Sequence, residues 1–337
     1  MTRARRLPAL PVFFALTSAL FCVAVPRFAS ASTAEDLMSG YSFIAIVAMG
    51  QAFAILVRGI DLSIGAEVAL AGMVAFDASL ILHLPGWSVL LLSMGAGVVA
   101  GALNGFLVVF LRLEPFIATL STLAAYRGLV FAISGRKLVP QLSTSAITDP
   151  WIVGLETYFD IGGALGVPQG VVRLPSIPLS FVVMLSLLAV FQFLWSRTRI
   201  GHDLRAIGGN PEAARLAGIP VAPRILLAYM LCGLCAGIAG LLLVARLTTA
   251  TEALGNGLEL TAIASAVVGG VDLRGGRGSA WAPALGAFLV GVVLMGLTLF
   301  GVSPFVQQIL TGAILLGAVA HSKGLVRGTH GPILSGS

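Results

Sequence analysis

Ten nearly uncharged apolar runs constrain this chain more than any other feature: 7–25, 41–58, 62–83, 87–111, 116–134, 177–196, 225–246, 258–271, 280–300 and 304–320. A helix of about 20 apolar residues crosses the hydrocarbon core of a bilayer. None of the runs alternates polar with apolar residues, which excludes the strands of a membrane β-barrel. Hydrophobic residues make up 58% of the 337 and charged residues 10%, with a mean hydropathy of +1.01. Soluble domains carry about 25% charge. The expected fold is all-α: one polytopic membrane domain over 1–337, with about ten transmembrane helices, some of them broken or halved.

The net charge of +6 has two explanations, nucleic acid or topology. No basic patch is interleaved with exposed aromatics, so nucleic acid is not expected. If the N-terminus with Arg3, Arg5 and Arg6 is cytoplasmic, ten crossings return Lys323 and Arg327 to the same side. Fourteen of the 20 basic residues then lie inside, against five outside: Arg27, Arg136, Lys137, Arg173 and Arg246. That asymmetry is the positive-inside rule, and it predicts a multi-pass inner-membrane protein with both termini cytoplasmic.

The first run competes with a secretory signal, because Ala29-Ser30-Ala31 resembles a peptidase site. Its apolar stretch is long for a signal peptide, so retention is expected. Residues 135–176 form the largest external loop, with Trp151, Tyr158 and Phe159 embedded in Pro, Gly, Ser and Thr. It is either a cap that meets a partner or a linker.

Gly59-Ile60-Asp61-Leu62-Ser63-Ile64-Gly65 separates two apolar runs with almost no connecting length. It is either a hairpin at the inner surface or a break within the membrane, with Asp61 or Ser63 able to cap the next helix. Gly270-Val271-Asp272-Leu273-Arg274-Gly275-Gly276 partly echoes it. Paired, glycine-interrupted segments point to a transport path and its hinges. Within 270–279 there is no G-x-x-x-x-G-K-[ST], so nucleotide binding is not expected there.

Polar residues inside the runs are few: Glu67, Asp77, Asn104, Arg127, Gln192 and Glu259. Ionisable groups in a bilayer are costly unless paired or wet. Arg127 lies about 16 Å along its helix from Phe116, near the midplane, at about 1.5 Å per residue. It is expected to pair with Asp77 or Glu67, whereas Glu259, near a helix end, can snorkel to the interface. Cys232 and Cys235 form a C-x-x-C that reads as small packing residues on a helix. His83, His202, His321 and His330 lack metal-ligand spacing, so neither metal nor catalysis is expected of this chain.

The one long polar passage, Arg197 to Arg224, carries its own helix signals. Asn210 is an N-cap, Pro211 suits the first helical position and Glu212 complements the positive end of the dipole. Arg215 falls in the last turn, Gly218 suits a left-handed cap and Pro220 stops continuation. A helix of about two turns is too short to be stable alone, so it needs a surface to lean on.

The strings A-I-G-G-N-P-E-A-A-R-L-A-G-I (206–219), G-I-D-L-S-I-G (59–65), P-F-I-A-T-L (115–120) and V-V-G-G-V-D-L-R-G-G-R-G-S (267–279) resemble the permease subunits of ribose-type ABC importers. F-A-S before the second run is similar to the furanose-sugar branch. The resemblance implies a type II importer-like fold, a second permease subunit (identical or paralogous), a cytoplasmic tandem-domain ATPase holding ATP and Mg, and a periplasmic sugar-binding protein. It maps ATPase coupling onto Gly208, Asn210, Glu212, Ala214, Arg215 and Gly218, with Ala213 and Ala217 permitting close approach. In two places the chain departs from the family: Arg58 stands where a small or aliphatic residue is usual before G-I-D, and Glu67 follows it.

The expected function is uptake of a monosaccharide, ribose-like or furanose, driven by ATP hydrolysis on another chain. Asn104, Phe116, Thr119 and Tyr126 are expected to line a weak-binding path, and Gly59, Asp61, Ser63, Gly65 and Asp272 to act as hinges. An ATP-independent secondary carrier is the alternative, suggested by the intramembrane carboxylates; a scaffold without transport is a third.

Overall fold

The computed structural model describes residues 9–134, 149–160, 164 and 174–322. Thirteen described helices account for nearly all of it: α1 Ala9–Ala24, α2 Ala31–Leu56, α3 Ile64–Leu80, α4 Gly86–Val109, α5 Pro115–Ile133, α6 Pro150–Val153, α7 Leu179–Arg197, α8 Arg199–Gly209, α9 Pro211–Leu216, α10 Val221–Leu247, α11 Leu258–Gly269, α12 Trp281–Leu299 and α13 Pro304–Ser322. Each of the ten apolar runs coincides with a helix. Six of these, α2, α4, α5, α7, α10 and α12, are long and apolar enough to cross a membrane. At 17 and 12 residues, α3 and α11 fall short of the roughly 20 that a full crossing needs. They are the helices that adjoin the two G-[IV]-D-L turns.

Helix α2 is the axis of the bundle. From Ala45 to Leu56 every residue is buried, and α10, α12, α11 and α7 surround it. It starts ten residues before its apolar run, because Ser30 Oγ accepts from Thr33 N at 3.2 Å and caps the end. The polar first turns, with Glu35, Asp36 and Ser39, hid that start.

The tightest packing joins α4 to α10. Gly97, Gly101 and Gly105 fall four residues apart on one stripe of α4, facing Tyr229, Gly233 and Gly237 of α10. A Cβ on Gly97 would collide with the Gly233 carbonyl, and one on Gly233 with the Gly97 carbonyl. Without a hydrophobic force between helices in lipid, such close backbone approach supplies the dispersion that holds them. The outward faces stay apolar: Val99, Leu103 and Phe106 on α4, Phe116 and Ile117 on α5, Phe305 and Ile309 on α13 are exposed.

The described part of the 135–176 loop is folded. Asp149 Oδ1 caps α6 by accepting from Trp151 N (2.9 Å) and Ile152 N (3.2 Å). Trp151 seats against Gly86 at the start of α4, and Tyr158–Phe159 pairs antiparallel with Ile177–Pro178. Arg3, Arg5, Arg6, Arg136, Lys137, Arg173, Lys323 and Arg327, with most of that loop, lie outside the described residues.

Candidate functional site: a buried polar knot and a capped surface helix

Between α2 and α3 the chain turns within the protein, with only Arg58 exposed. Val57, Gly59, Asp61 and Ser63 are buried, and the turn is held on several sides. Asp61 Oδ1 accepts from Ser63 N at 2.9 Å and from Ser63 Oγ at 2.7 Å. Oriented to satisfy both of its atoms, the Gln51 amide donates to Asp61 O and accepts from Asp61 N, each at 3.0 Å. Thr119 Oγ1 donates to Ile60 O at 3.1 Å, tying the turn to α5.

One residue of α4 joins the side chains together. Asn104 Nδ2 lies 3.2 Å from Asp61 Oδ2, 2.7 Å from Ser63 Oγ and 2.8 Å from Glu67 Oε1. Its Oδ1 accepts from Thr122 Oγ1 at 2.6 Å. Asp61, Ser63, Glu67 and Asn104 are all wholly buried, so each polar atom must find its partner within the protein. Glu67 Oε2 and the Tyr229 hydroxyl, also buried, have none among the described residues.

The expected ion pair is not there. Glu67 belongs to the Asn104 knot, and Asp77 is partly exposed near the end of α3. Arg127 Nη1 instead donates to the carbonyls of Glu252 (2.9 Å) and Leu254 (2.7 Å), and it forms no ion pair among the described residues. The reason is helical phase. Thr119, Thr122 and Tyr126 share the face of α5 turned to α3 and α4, and Arg127 lies about 100° further round. Glu259 turns inward: its Oε2 is buried without a hydrogen-bond partner among the described residues, against the position a Gly65 Cβ would take.

Of the expected path residues, Asn104, Thr119 and Tyr126 are buried and bonded, Tyr126 through its hydroxyl to Ala100 O at 2.8 Å. Phe116 lies apart from them, 55% exposed on the apolar outer face of α5. The two hinge turns share a local form. Asp272 Oδ1 accepts from Arg274 N at 2.9 Å, as Asp61 Oδ1 does from Ser63 N. Only Asp61 is fully buried; Asp272 is partly open.

The polar passage folds as two helices rather than one. Thr198 Oγ1 caps α8 by accepting from Gly201 N at 3.3 Å, and Leu204, Ile207 and Gly208 are its buried side. Asn210 Oδ1 then caps α9, accepting from Glu212 N (3.0 Å) and Ala213 N (3.1 Å). Gly218, at φ +80°, closes it, with Gly218 N on Arg215 O and Ile219 N on Ala214 O, each at 3.0 Å. Arg224 Nε holds Asp203 Oδ2 at 2.8 Å and ties α10 to α8.

The expected coupling residues divide by position. Glu212, Ala213, Arg215, Leu216, Ala217 and Gly218 are exposed, Leu216 at 83%, whereas Ala214 faces the bundle. Gly208 belongs to a joint: a Cβ there would strike Leu56 O and Gly276 N. Residue-level reading missed Gln51, Thr122 and α8. Gln51 was visible as an amide inside an apolar run, and α8 as Thr198 followed by Ile200, Leu204 and Ile207 at helical spacing.

The family described as branched-chain amino acid transport system / permease component matches residues 33–319. The chain is 35% identical over 316 residues to the ribose import permease protein of Escherichia coli K12, covering 94% of this chain and 92% of the relative. It is also 35% identical over 279 residues to the D-allose transport system permease protein of that strain, covering 82% and 78%. The galactose/methyl galactoside import permease protein of Salmonella typhimurium LT2 is 35% identical over 310 residues, covering 88% and 87%. No solved structure matches. An all-α polytopic chain matched over most of its length to a permease profile and to several sugar permeases belongs to that permease family.

Proposed function

We propose that this chain is the membrane-spanning permease subunit of a binding-protein-dependent ABC importer, carrying a monosaccharide inward while a separate cytoplasmic ATPase hydrolyses ATP. The observation that carries the reading is α9: a short, doubly capped helix whose exposed face holds Glu212, Arg215 and the 83% exposed Leu216. A leucine so placed beside two charges fits a surface that another protein covers. The relatives named for ribose, allose and galactose import support a sugar as cargo. Ribose or a furanose is the substrate class first to be tried.

Two copies, or this chain and a paralogue, would frame the path in the inner membrane, with α9 and both termini on the cytoplasmic side. A periplasmic sugar-binding protein would deliver the solute. A neutral sugar is recognised by hydrogen bonds and ring-stacking surfaces, and weak contacts suit a path that must also release it. The turns at Asp61 and Asp272 would be the points about which α3 and α11 rock.

A secondary carrier is favoured by one observation, the buried carboxylates of Asp61 and Glu67. It gives α9 no task. Co-expressed with a cognate tandem-domain ATPase and sugar-binding protein, the permease should pull down both. Sugar-stimulated ATP hydrolysis should fall when Glu212→Lys reverses the charge at the start of α9. Hydrolysis indifferent to sugar and to Glu212→Lys would remove the reading.

A further inference from the structure

Arg58 is the residue at which α2 stops, and it stops there in a conformation that arginine rarely adopts. Its φ is +67°, in the left-handed region where glycine is the usual occupant. At the carboxyl end of α2 a cation is favoured by the helix dipole alone. The side chain, however, crosses to α8: Nε donates to Gly208 O at 2.7 Å, and Nη2 donates to Gly209 O. These carbonyls end α8, where a fork of guanidinium donors is favoured by both geometry and dipole. The next residue, Asn210, is the cap of α9.

The same joint has a third member. Gly276 N donates to Leu56 O at 2.9 Å, while a Cβ on Gly275 would press on Arg58 Cγ at 2.7 Å. A Cβ on Gly208 would strike the Leu56 carbonyl and the Gly276 amide. Three chain ends therefore meet without room to slide: the end of α2, the end of α8 and the turn that follows Asp272. From Arg58 it is three residues to Asp61, through a segment whose backbone is fixed by Thr119 at Ile60 O and by Gln51 at Asp61.

We infer that Arg58 is a positioning residue that transmits displacement of α9 to the buried Asp61 turn, by clamping the α8 carboxyl end onto the end of α2. The inference rests on the importer reading. It explains why a long cation stands where the backbone favours glycine. Pulled by a partner, α8 and α9 carry Arg58 with them, and the fixed segment from Gly59 to Asp61 passes the movement to α3 and the Asn104 knot.

Arg58→Gly is the sharp test, because glycine suits φ +67° and removes both bonds to the α8 carbonyls together with the side chain's packing on Gly275; Arg58→Lys keeps the charge and the stem but cannot bridge both carbonyls. Full-length permease is reconstituted with its ATPase and binding protein. Hydrogen exchange is followed in 57–63 and 210–216 with and without a non-hydrolysed ATP analogue. In the wild type both segments should respond to nucleotide. In Arg58→Gly, 210–216 should still respond while 57–63 does not, and sugar moved per ATP should fall by at least about fivefold, the low end of ordinary coupling between sites. Arg58→Lys should lie between. An unchanged response of 57–63 and unchanged sugar per ATP in Arg58→Gly would overturn the inference and leave the importer reading standing. A wild-type complex in which neither segment responds would remove both.

Discussion

Asn104 Nδ2 donates to Glu67 Oε1 at 2.8 Å, joining the carboxyl-terminal part of α4 to the first turn of α3 at a point where both residues are wholly buried. The same amide, with two hydrogens to give, also lies within reach of Asp61 Oδ2 and Ser63 Oγ, so one side chain serves acceptors in the turn and in α3. Removing it strands several of them at once. Asn104→Leu is expected to destabilise the purified permease by more than about 2 kcal/mol, since each stranded buried group costs about 1–3 kcal/mol. Thermal unfolding in detergent measures it, and wild-type stability would show that the knot relaxes without Asn104.

Two glycines of α4 should respond with opposite signs. Gly97 abuts the Gly233 carbonyl, whereas a Cβ on Gly95 would meet nothing within 4 Å. Gly97→Ala is expected to lose about 1–3 kcal/mol to overpacking. Gly95→Ala should gain up to about 1 kcal/mol from helix propensity. Equal effects would mean that α4 and α10 do not approach as closely as the seam requires.

The caps of α9 can be removed one at a time. Asn210→Ala should cost that helix about 1 kcal/mol. Gly218→Ala should cost about 1–2 kcal/mol through its left-handed backbone. Because α9 is short and its face exposed, both variants should leave the unfolding temperature of the bundle close to wild type while lowering the ratio of sugar-stimulated to unstimulated ATP hydrolysis. A normal ratio in both would detach α9 from coupling.

Where the folded loop meets α2 and α10, Ser39 Oγ donates to Glu156 Oε2 at 2.9 Å, and Arg246 Nη1 donates to Ser39 Oγ. Burial pushes the Glu156 carboxyl above its ordinary range, with the Ser39 bond and the Arg246 charge holding it back. A raised carboxyl binds its proton more tightly folded than unfolded. Its contribution to stability is therefore present below the ordinary glutamate range, about pH 4.3, and lost as pH rises through the shifted value. Glu156→Gln, fixed in the neutral form, should flatten the fall in unfolding temperature between acid and neutral pH. A fall as steep as the wild type's would assign it to another group.

The helices were legible because apolar length is a long-range signal that single residues rarely disturb. Asn210, Pro211 and Gly218 were legible because caps act within a few residues of themselves. What the sequence hid is contact across distance. Arg127 and Glu67 looked like partners because charges in lipid need partners, yet helical phase turns Arg127 to the carbonyls of 252 and 254. The family resemblance grouped Gly208 with the coupling residues, and its packing could not be read from the sequence. It forms a joint packed on Leu56 and Gly276, far away in the chain. Arg58 stood out as an odd residue before G-I-D, and only its reach to Gly208 gives it a use.

Transport driven by an ATPase on another chain has a direct signature. Proteoliposomes holding the permease, its ATPase and its loaded binding protein should accumulate ribose or another monosaccharide and hydrolyse ATP faster with sugar than without. Uptake should cease when the ATPase cannot hydrolyse ATP and persist with a protonophore present. Uptake that a protonophore abolishes, and that continues without the ATPase, would contradict the account.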